Sequence, residues 1–195
     1  SIVVCTATKR AAIVDPGGDV DRIRGAIDQL GVQVDRILLT HGHIDHAGGA
    51  AELSEALGVA VEGPHAADGF LLAELDAQGR MFGLTGARAV PPARFFSEDD
   101  RIMVGELAFD VLHIPGHTPG HVVFVQRDAR IALVGDTLFA GSVGRTDFPY
   151  GDHATLIDGI VSKLFPLGDD LAFLPGHGPA STIGAERQSN PFLQS

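Results

Sequence analysis

The segment Thr40-His41-Gly42-His43-Ile44-Asp45-His46 sets three imidazoles and one carboxylate within six residues, directly behind the apolar run Ile37-Leu38-Leu39. Neighbouring histidines repel when protonated and lose hydrogen-bond partners when buried. A cluster this dense is therefore costly unless divalent metal takes neutral imidazole nitrogen and carboxylate oxygen as ligands. His41 and His43 stand two apart, so on an extended turn both rings reach one ion. Asp45 and His46 fall one turn further on and address a different point. The spacing thus predicts two ions, one from each pair.

Two ions need more ligands than this segment holds, and the chain repeats one device that supplies them: an apolar strand followed by a tight, glycine-bearing loop that presents one metal-binding side chain. Leu38-Leu39 precedes His41, Val111-Leu112-His113-Ile114 precedes Pro115-Gly116-His117, the run 131–134 precedes Gly135-Asp136, and the run 171–174 precedes Pro175-Gly176-His177-Gly178. If these strand ends lie along one edge of packed sheets, their ligands converge in one cleft at the carboxyl ends. The candidate ligands are His41, His43, Asp45, His46, His117, Asp136 and His177. Two ions sharing a carboxylate suit that number.

Around this frame the pattern predicts strands at 2–5 and 11–14, then a helix over 20–30 with Asp19 as N-cap and Gly31 as its stop. A strand at 34–40 leads into the histidine cluster, and a helix at 48–57 follows, its first amides facing an anionic site. Beyond a short strand at 59–61, residues 64–86 are weakly helical, with Phe70, Leu71, Leu72 and Leu75 as a core face. Hairpins are expected at 101–104/107–114 and 121–126/130–134, a helix at 154–165 capped by Asp152, and a last strand at 171–174. No repeat or Pro/Gly-rich linker divides the chain, so residues 1–195 read as a single α/β domain. With 45% hydrophobic residues but no long apolar run, it has material for a sizeable core and no membrane span. The net charge of −11 argues against nucleic acid or anionic membrane as partner. Cys5 is the only cysteine, which excludes an internal disulfide and fits a cytoplasmic location.

The pattern His-x-His-x-Asp-His at 41–46, with Gly-His at 116–117, Gly-Asp at 135–136 and Gly-His-Gly at 176–178, resembles the metallo-β-lactamase superfamily. Within it, Asp15-Pro16-Gly17-Gly18, Pro115-Gly116-His117-Thr118-Pro119-Gly120-His121, Gly144-Arg145-Thr146-Asp147-Phe148 and Asn190-Pro191-Phe192-Leu193 resemble the short hydroxyacylglutathione hydrolases, or type II glyoxalase II enzymes. The resemblance implies a four-layer αββα sandwich with a dinuclear site at one edge. His41, His43 and His117 would hold the first metal, Asp45, His46 and His177 the second, and Asp136 would bridge them. A hydroxide between the ions would be the nucleophile, oriented by Asp45, and a bound divalent cation makes hydroxide available near neutral pH. The substrate would be S-D-lactoylglutathione or a related acyl-glutathione. The longer glyoxalase II enzymes carry a C-terminal helical domain with glutathione contacts that has no counterpart here, so Arg145 becomes the expected anchor for the glutathione carboxylate. Phe148 and Tyr150 would wall the thioester pocket.

Other readings follow from the same residues. A mononuclear-iron glutathione persulfide dioxygenase of this superfamily would use His41, His117 and Asp136, and the Gly-Arg-Thr-Asp-Phe run occurs there too, although Ser142-Val143 stand where that group commonly has a cysteine-bearing loop. A metal-binding sensor would have no need of a complete ligand set. A β-lactamase is a poorer reading still, because the Gly-Asp-Thr-Leu-Phe segment lacks a metal-binding cysteine. Arg145 is as compatible with an ion pair as with an anchor. His65, His113 and His153 are expected to stand away from metal, and His121 to support the ligands from behind. Zinc is the expected metal, with iron or manganese as alternatives that this ligand chemistry also accepts. Oligomeric state is not fixed by any of these features.

Overall fold

Two β-sheets lie face to face and helices cover both outer surfaces in the computed structural model, which describes residues 1–194. The first sheet has the order β1 (Ile2–Val4), β2 (Arg10–Val14), β3 (Gln33–Leu38), β4 (Ala60–His65), β5 (Arg94–Phe96). It is parallel from β2 to β5, and β1 pairs antiparallel at its edge. The second sheet runs β13-β12-β9-β8-β7-β6. Its strands are β6 (Arg101–Val104), β7 (Leu107–His113), β8 (Val122–Gln126), β9 (Ile131–Gly135), β12 (Ala172–Pro175) and β13 (Ser181–Thr182). A small hairpin, β10 (Leu138–Phe139) with β11 (Ser142–Val143), stands apart.

Three apolar clusters fill the spaces between these layers, and the period-2 geometry of strands sorts residues among them. Ala12, Val14, Leu38, Val111, Phe124 and Leu133 meet between the sheets. Their chain neighbours Ile13, Ile37 and Leu39 point the other way, toward α1 (Val20–Leu30), α3 (Ala50–Leu57) and α5 (Leu75–Phe82). Leu112, Val123, Val125 and Val134 face α6 (His153–Gly159) and α7 (Ile183–Ser189) on the far side. Strands buried on both faces read as unbroken apolar runs. Four layers follow, the αββα sandwich that the sequence motifs imply.

Several local expectations differ. Asp19 occupies the N-cap position of α1 but in a left-handed conformation (φ 53°), and its side chain caps nothing. The predicted helix at 48–57 is α3, which starts at Ala50, and an unexpected short helix, α2 (Ile44–Ala47), precedes it. The first two amides of the predicted segment are engaged by backbone carbonyls, Gly48 N–H donating to Ile44 O at 2.7 Å and Gly49 N–H to Pro16 O at 2.8 Å. The strand expected at 59–61 extends to His65, and segment 64–86 resolves into α4 (Gly69–Ala73) and α5. Strands β5, β10, β11 and β13 and helix α7 have no counterpart among the expected elements. Most are two or three residues long, too short for a periodic signal.

Candidate metal centre

The carboxyl ends of β3, β7, β9 and β12 meet at one edge of the sandwich and carry their loops with them. His41 and His43 lie in the turn after β3, Asp45 and His46 in α2 behind it, His117 after β7, Asp136 after β9, and His177 after β12. All seven side chains expected from the sequence are brought together here, six of them in two groups, His41/His43/His117 and Asp45/His46/His177, and Asp136 as the seventh. In the first, His117 Nε2 lies 3.0 Å from His43 Nδ1. In the second, His177 Nε2 is 3.3 Å from His46 Nε2 and 3.0 Å from Asp45 Oδ2. Asp136 stands between the groups, with Oδ1 at 3.3 Å from His46 Nε2 and Oδ2 at 3.8 Å from both His117 Nε2 and His177 Nε2.

Donor atoms about 2.0–2.1 Å from a tetrahedral ion are roughly 3.3 Å apart, so these separations are those of a ligand set. The donor atoms themselves give a further test. Among the described residues, His41 Nε2 and Asp136 Oδ1 are buried with no hydrogen-bond partner, since His46 approaches Asp136 without hydrogen-bond geometry. Orphaned polar atoms in a dry site are costly, and a cation satisfies both. The residues present fit divalent metal.

The outer nitrogens of four imidazoles have fixed partners, which turn the other nitrogen inward. His46 Nδ1 bonds Asp15 Oδ2 at 3.0 Å, and His41 Nδ1 faces Thr40 Oγ1 at 3.0 Å. Thr40 in turn donates to Asp15 from its hydroxyl (2.6 Å) and its backbone N–H (2.8 Å). His117 Nδ1 donates to Arg145 O at 2.8 Å, and His43 Nε2 lies 2.9 Å from Tyr150 Oη. Burial holds His41 far below the usual imidazole range, His43 at about 4, and His117 lowered. Those three rings are therefore neutral, as ligands must be. His46 runs the other way: burial opposes its charge, but the adjacent carboxylates of Asp136 and Asp15 raise it to about 10. Burial likewise works against ionised Asp136, and the adjacent His46 overrides it, leaving this carboxyl below its ordinary value.

Three supports were not legible as such. Asp15 reads in the sequence as the end of a strand, yet its carboxylate ties Thr40 to His46. Asp68, fully buried, accepts from Gly42 N–H (2.9 Å), Thr118 Oγ1 (2.8 Å) and Gly120 N–H (2.6 Å), clamping the loops of His41, His43 and His117 together. Gly176 must lack a side chain, because a Cβ there would stand 2.2 Å from Asp136 Oδ1 and 2.5 Å from His46 Cε1. His121 does sit behind the ligands: its Nε2 accepts from Asp136 N–H at 3.0 Å, and its ring stacks on His41. His65 and His113 stack on one another instead, and His153 approaches Phe192.

In front of the donors opens a cleft of about 810 Å³ whose walls are mainly apolar, among them Phe70, Leu71, Phe82, Leu84, Phe139 and Phe148. Phe70 and Leu71, expected in the core, thus line the cleft too. Tyr150 stacks on Phe148 (5.4 Å, 14°) beside His43. Arg145 also reaches the cleft, where its guanidinium lies over the Phe148 ring and is paired through two nitrogens with Asp147, both at 2.7 Å.

Residues 1–177 match the family model of the metallo-beta-lactamase superfamily. The chain belongs to the metallo-β-lactamase superfamily. Within that superfamily it is 46% identical over 188 residues to the hydroxyacylglutathione hydrolase GloC of Haemophilus influenzae, covering 96% of this chain and 89% of that protein. The resemblance to the short hydroxyacylglutathione hydrolases is thus borne out. Among solved structures, BLEG-1, a B3 metallo-beta-lactamase, matches with a TM-score of 0.90 at 33% identity over 100% of this chain and 93% of its own. A di-iron-bound form of TTHA1623 matches with a TM-score of 0.87 at 36% identity over 99% and 93%. ETHE1 from Myxococcus xanthus shares the fold (TM-score 0.74, 24% identity, 97% of this chain and 76% of that one). No helix among the described residues is long and apolar enough to cross a membrane.

Proposed function

We propose that this chain is a dinuclear metal hydrolase that cleaves the thioester of S-D-lactoylglutathione or a related acyl-glutathione. The observation that carries the reading is the pair of donor groups flanking Asp136 at the floor of the cleft, in a chain 46% identical to a hydroxyacylglutathione hydrolase. His41, His43 and His117 would hold one ion and Asp45, His46 and His177 the other, with Asp136 within reach of both groups. Zinc is the ion the ligand chemistry favours, and the di-iron form of TTHA1623 supports iron as an alternative, with manganese also compatible. Bound there, the two ions would lower the pKa of a water toward about 7 and neutralise charge on the carbonyl oxygen.

The protein does the rest. Asp45, half-exposed at the rim, accepts a hydrogen bond from the attacking water and aims it. Phe70 and Phe148 strip water from the acyl group as it enters. The departing thiolate is stable enough to leave without a dedicated acid. Arg145 is already presented at the cleft with its fork engaged by Asp147, and a glutathione carboxylate takes the place of Asp147 on that fork. Phe148 and Tyr150 wall the pocket beside it. The partner on this reading is a small-molecule thioester, and the net charge of −11 disfavours nucleic acid or anionic membrane.

The test is thiol release from S-D-lactoylglutathione by metal-loaded protein. Release at a rate that saturates with substrate is expected. Oxygen uptake with glutathione persulfide, without thioester cleavage, would transfer the assignment to the dioxygenase. The likeness to BLEG-1 supports β-lactam hydrolysis as a second reading, and turnover of a chromogenic cephalosporin measures it in the same preparation.

A further inference from the structure

Four imidazoles of the centre lean on an outer partner, and only one of those partners has a proton to spare. Asp15 and the Arg145 carbonyl are pure acceptors, and Thr40 spends its hydroxyl proton on Asp15. Tyr150 is different. His43 turns Nδ1 toward His117 Nε2 (3.0 Å), so as a ligand through that nitrogen it carries its proton on Nε2 and donates to Tyr150 Oη at 2.9 Å. The phenol is then an acceptor in this bond, and its own O–H cannot point back at His43. Among the described residues Tyr150 Oη has no other protein partner. The ring is held flat on Phe148 (5.4 Å, 14°) and edge-on to Phe70 (5.4 Å, 70°), so the hydroxyl is fixed in place with its proton free for a ligand in the cleft.

We infer that Tyr150 is the specificity-determining residue of the acyl pocket: its hydroxyl donates a hydrogen bond to an oxygen on the carbon next to the thioester carbonyl, selecting 2-hydroxyacyl thioesters over unsubstituted ones. The inference rests on the thioester-hydrolase reading and narrows it. Position decides which substrate atom is met. Oη lies a full ring's width plus a 2.9 Å hydrogen bond outward from the Nδ1 corner where His43 and His117 converge. It is too far out to serve the reacting carbonyl and is placed for the next carbon along. Surroundings decide what that contact does. A 2-hydroxyl entering the cleft beside Phe70 and Phe148 gives up water, and Tyr150 restores the lost hydrogen bond. An acyl group without the hydroxyl leaves the phenol proton unmatched, which is how a polar site rejects an analogue.

The experiment compares S-D-lactoylglutathione with S-propionylglutathione, which differ in that one hydroxyl, in metal-loaded wild type and Tyr150→Phe. The phenylalanine keeps the aromatic stack. Wild type is expected to favour the lactoyl substrate in kcat/KM by about tenfold or more, and Tyr150→Phe to erase that preference: freeing the outer nitrogen of His43 lowers both reactions, and the lactoyl reaction falls further by that same factor. The ratio is internally controlled, because loss of metal or of folded protein lowers both substrates together. An equal fall in both means that Tyr150 acts only by orienting His43, and overturns the inference. Wild type that cleaves both thioesters equally also overturns it while the hydrolase reading stands. Wild type that, with two metals bound, cleaves neither removes both.

Discussion

Replacing Asp68 by Ala tests how the first-ion loops are held. Its carboxylate is fully buried and accepts three hydrogen bonds, from Gly42 N–H, Thr118 Oγ1 and Gly120 N–H. Each donor left without a partner in a dry site costs about 1–3 kcal/mol. Three would come to roughly 3–9 kcal/mol, but the space vacated by a carboxylate admits a water that satisfies one or two of them. A net loss of about 3–4 kcal/mol is expected, which for a urea slope of about 1–3 kcal/mol/M moves the midpoint of the metal-free protein down by roughly 1–4 M. Gly42 sits between His41 and His43, and Thr118 follows His117, so affinity at the first ion should fall about 10- to 100-fold as well. Asp68→Asn keeps the volume and one acceptor oxygen but turns an NH2 toward a donor, and should fall between the two. A loss below about 1 kcal/mol for Asp68→Ala, with both metals retained, would refute the clamp.

Four further outcomes follow. Asp136→Ala should lose metal and activity together, and retention of both, read by metal analysis and thiol release, would overturn its shared role. Asp15→Asn should weaken the second ion about 10- to 100-fold by freeing the ring of His46, measured by chelator competition. Gly176→Ala should drive Asp136 and His46 apart and cut metal content per chain even where the fold survives, which circular dichroism checks separately. Metal-free protein should lose stability on acidification: His41, His43, His117 and His121 are held below the ordinary imidazole value, so the unfolded chain binds protons there that the folded chain refuses. The loss begins as pH drops through about 6.5 and reaches at most about 1.4 kcal/mol per pH unit per group. His46, raised to about 10, adds stability that is complete below about 6.5 and fades as pH rises toward its folded value, so it does not offset the acid loss. Urea midpoints that do not change between about pH 7 and about pH 5 would contradict this sign.

Much of the centre was legible because metal ligation asks for specific donors at specific spacings. His41, His43, Asp45 and His46 declare themselves within one turn, and the other three follow strands whose apolar runs announce the loops behind them. The layered fold was visible only through resemblance, since strands such as β8 are buried on both faces and lose the alternation that would reveal a sheet. What escaped are single residues whose work is done across the chain. Asp15 acts on a histidine 31 positions away and Asp68 on Gly120 52 positions away, and no local pattern encodes such pairings. Gly176 reads as a turn former, while its function is to let Asp136 and His46 come close. Phe70 reads as core because an apolar helix face looks the same whether it meets a core or a cleft, and only the tertiary arrangement separates the two uses.

The central claim is that the two donor groups hold two ions through a shared Asp136. Metal content per chain, measured on freshly purified protein by elemental analysis, tests it most directly. The account predicts close to two divalent ions in the wild-type chain. A single ion per chain, unchanged when His46 and His177 are replaced, would contradict it and leave Asp45, His46 and His177 without the role assigned to them.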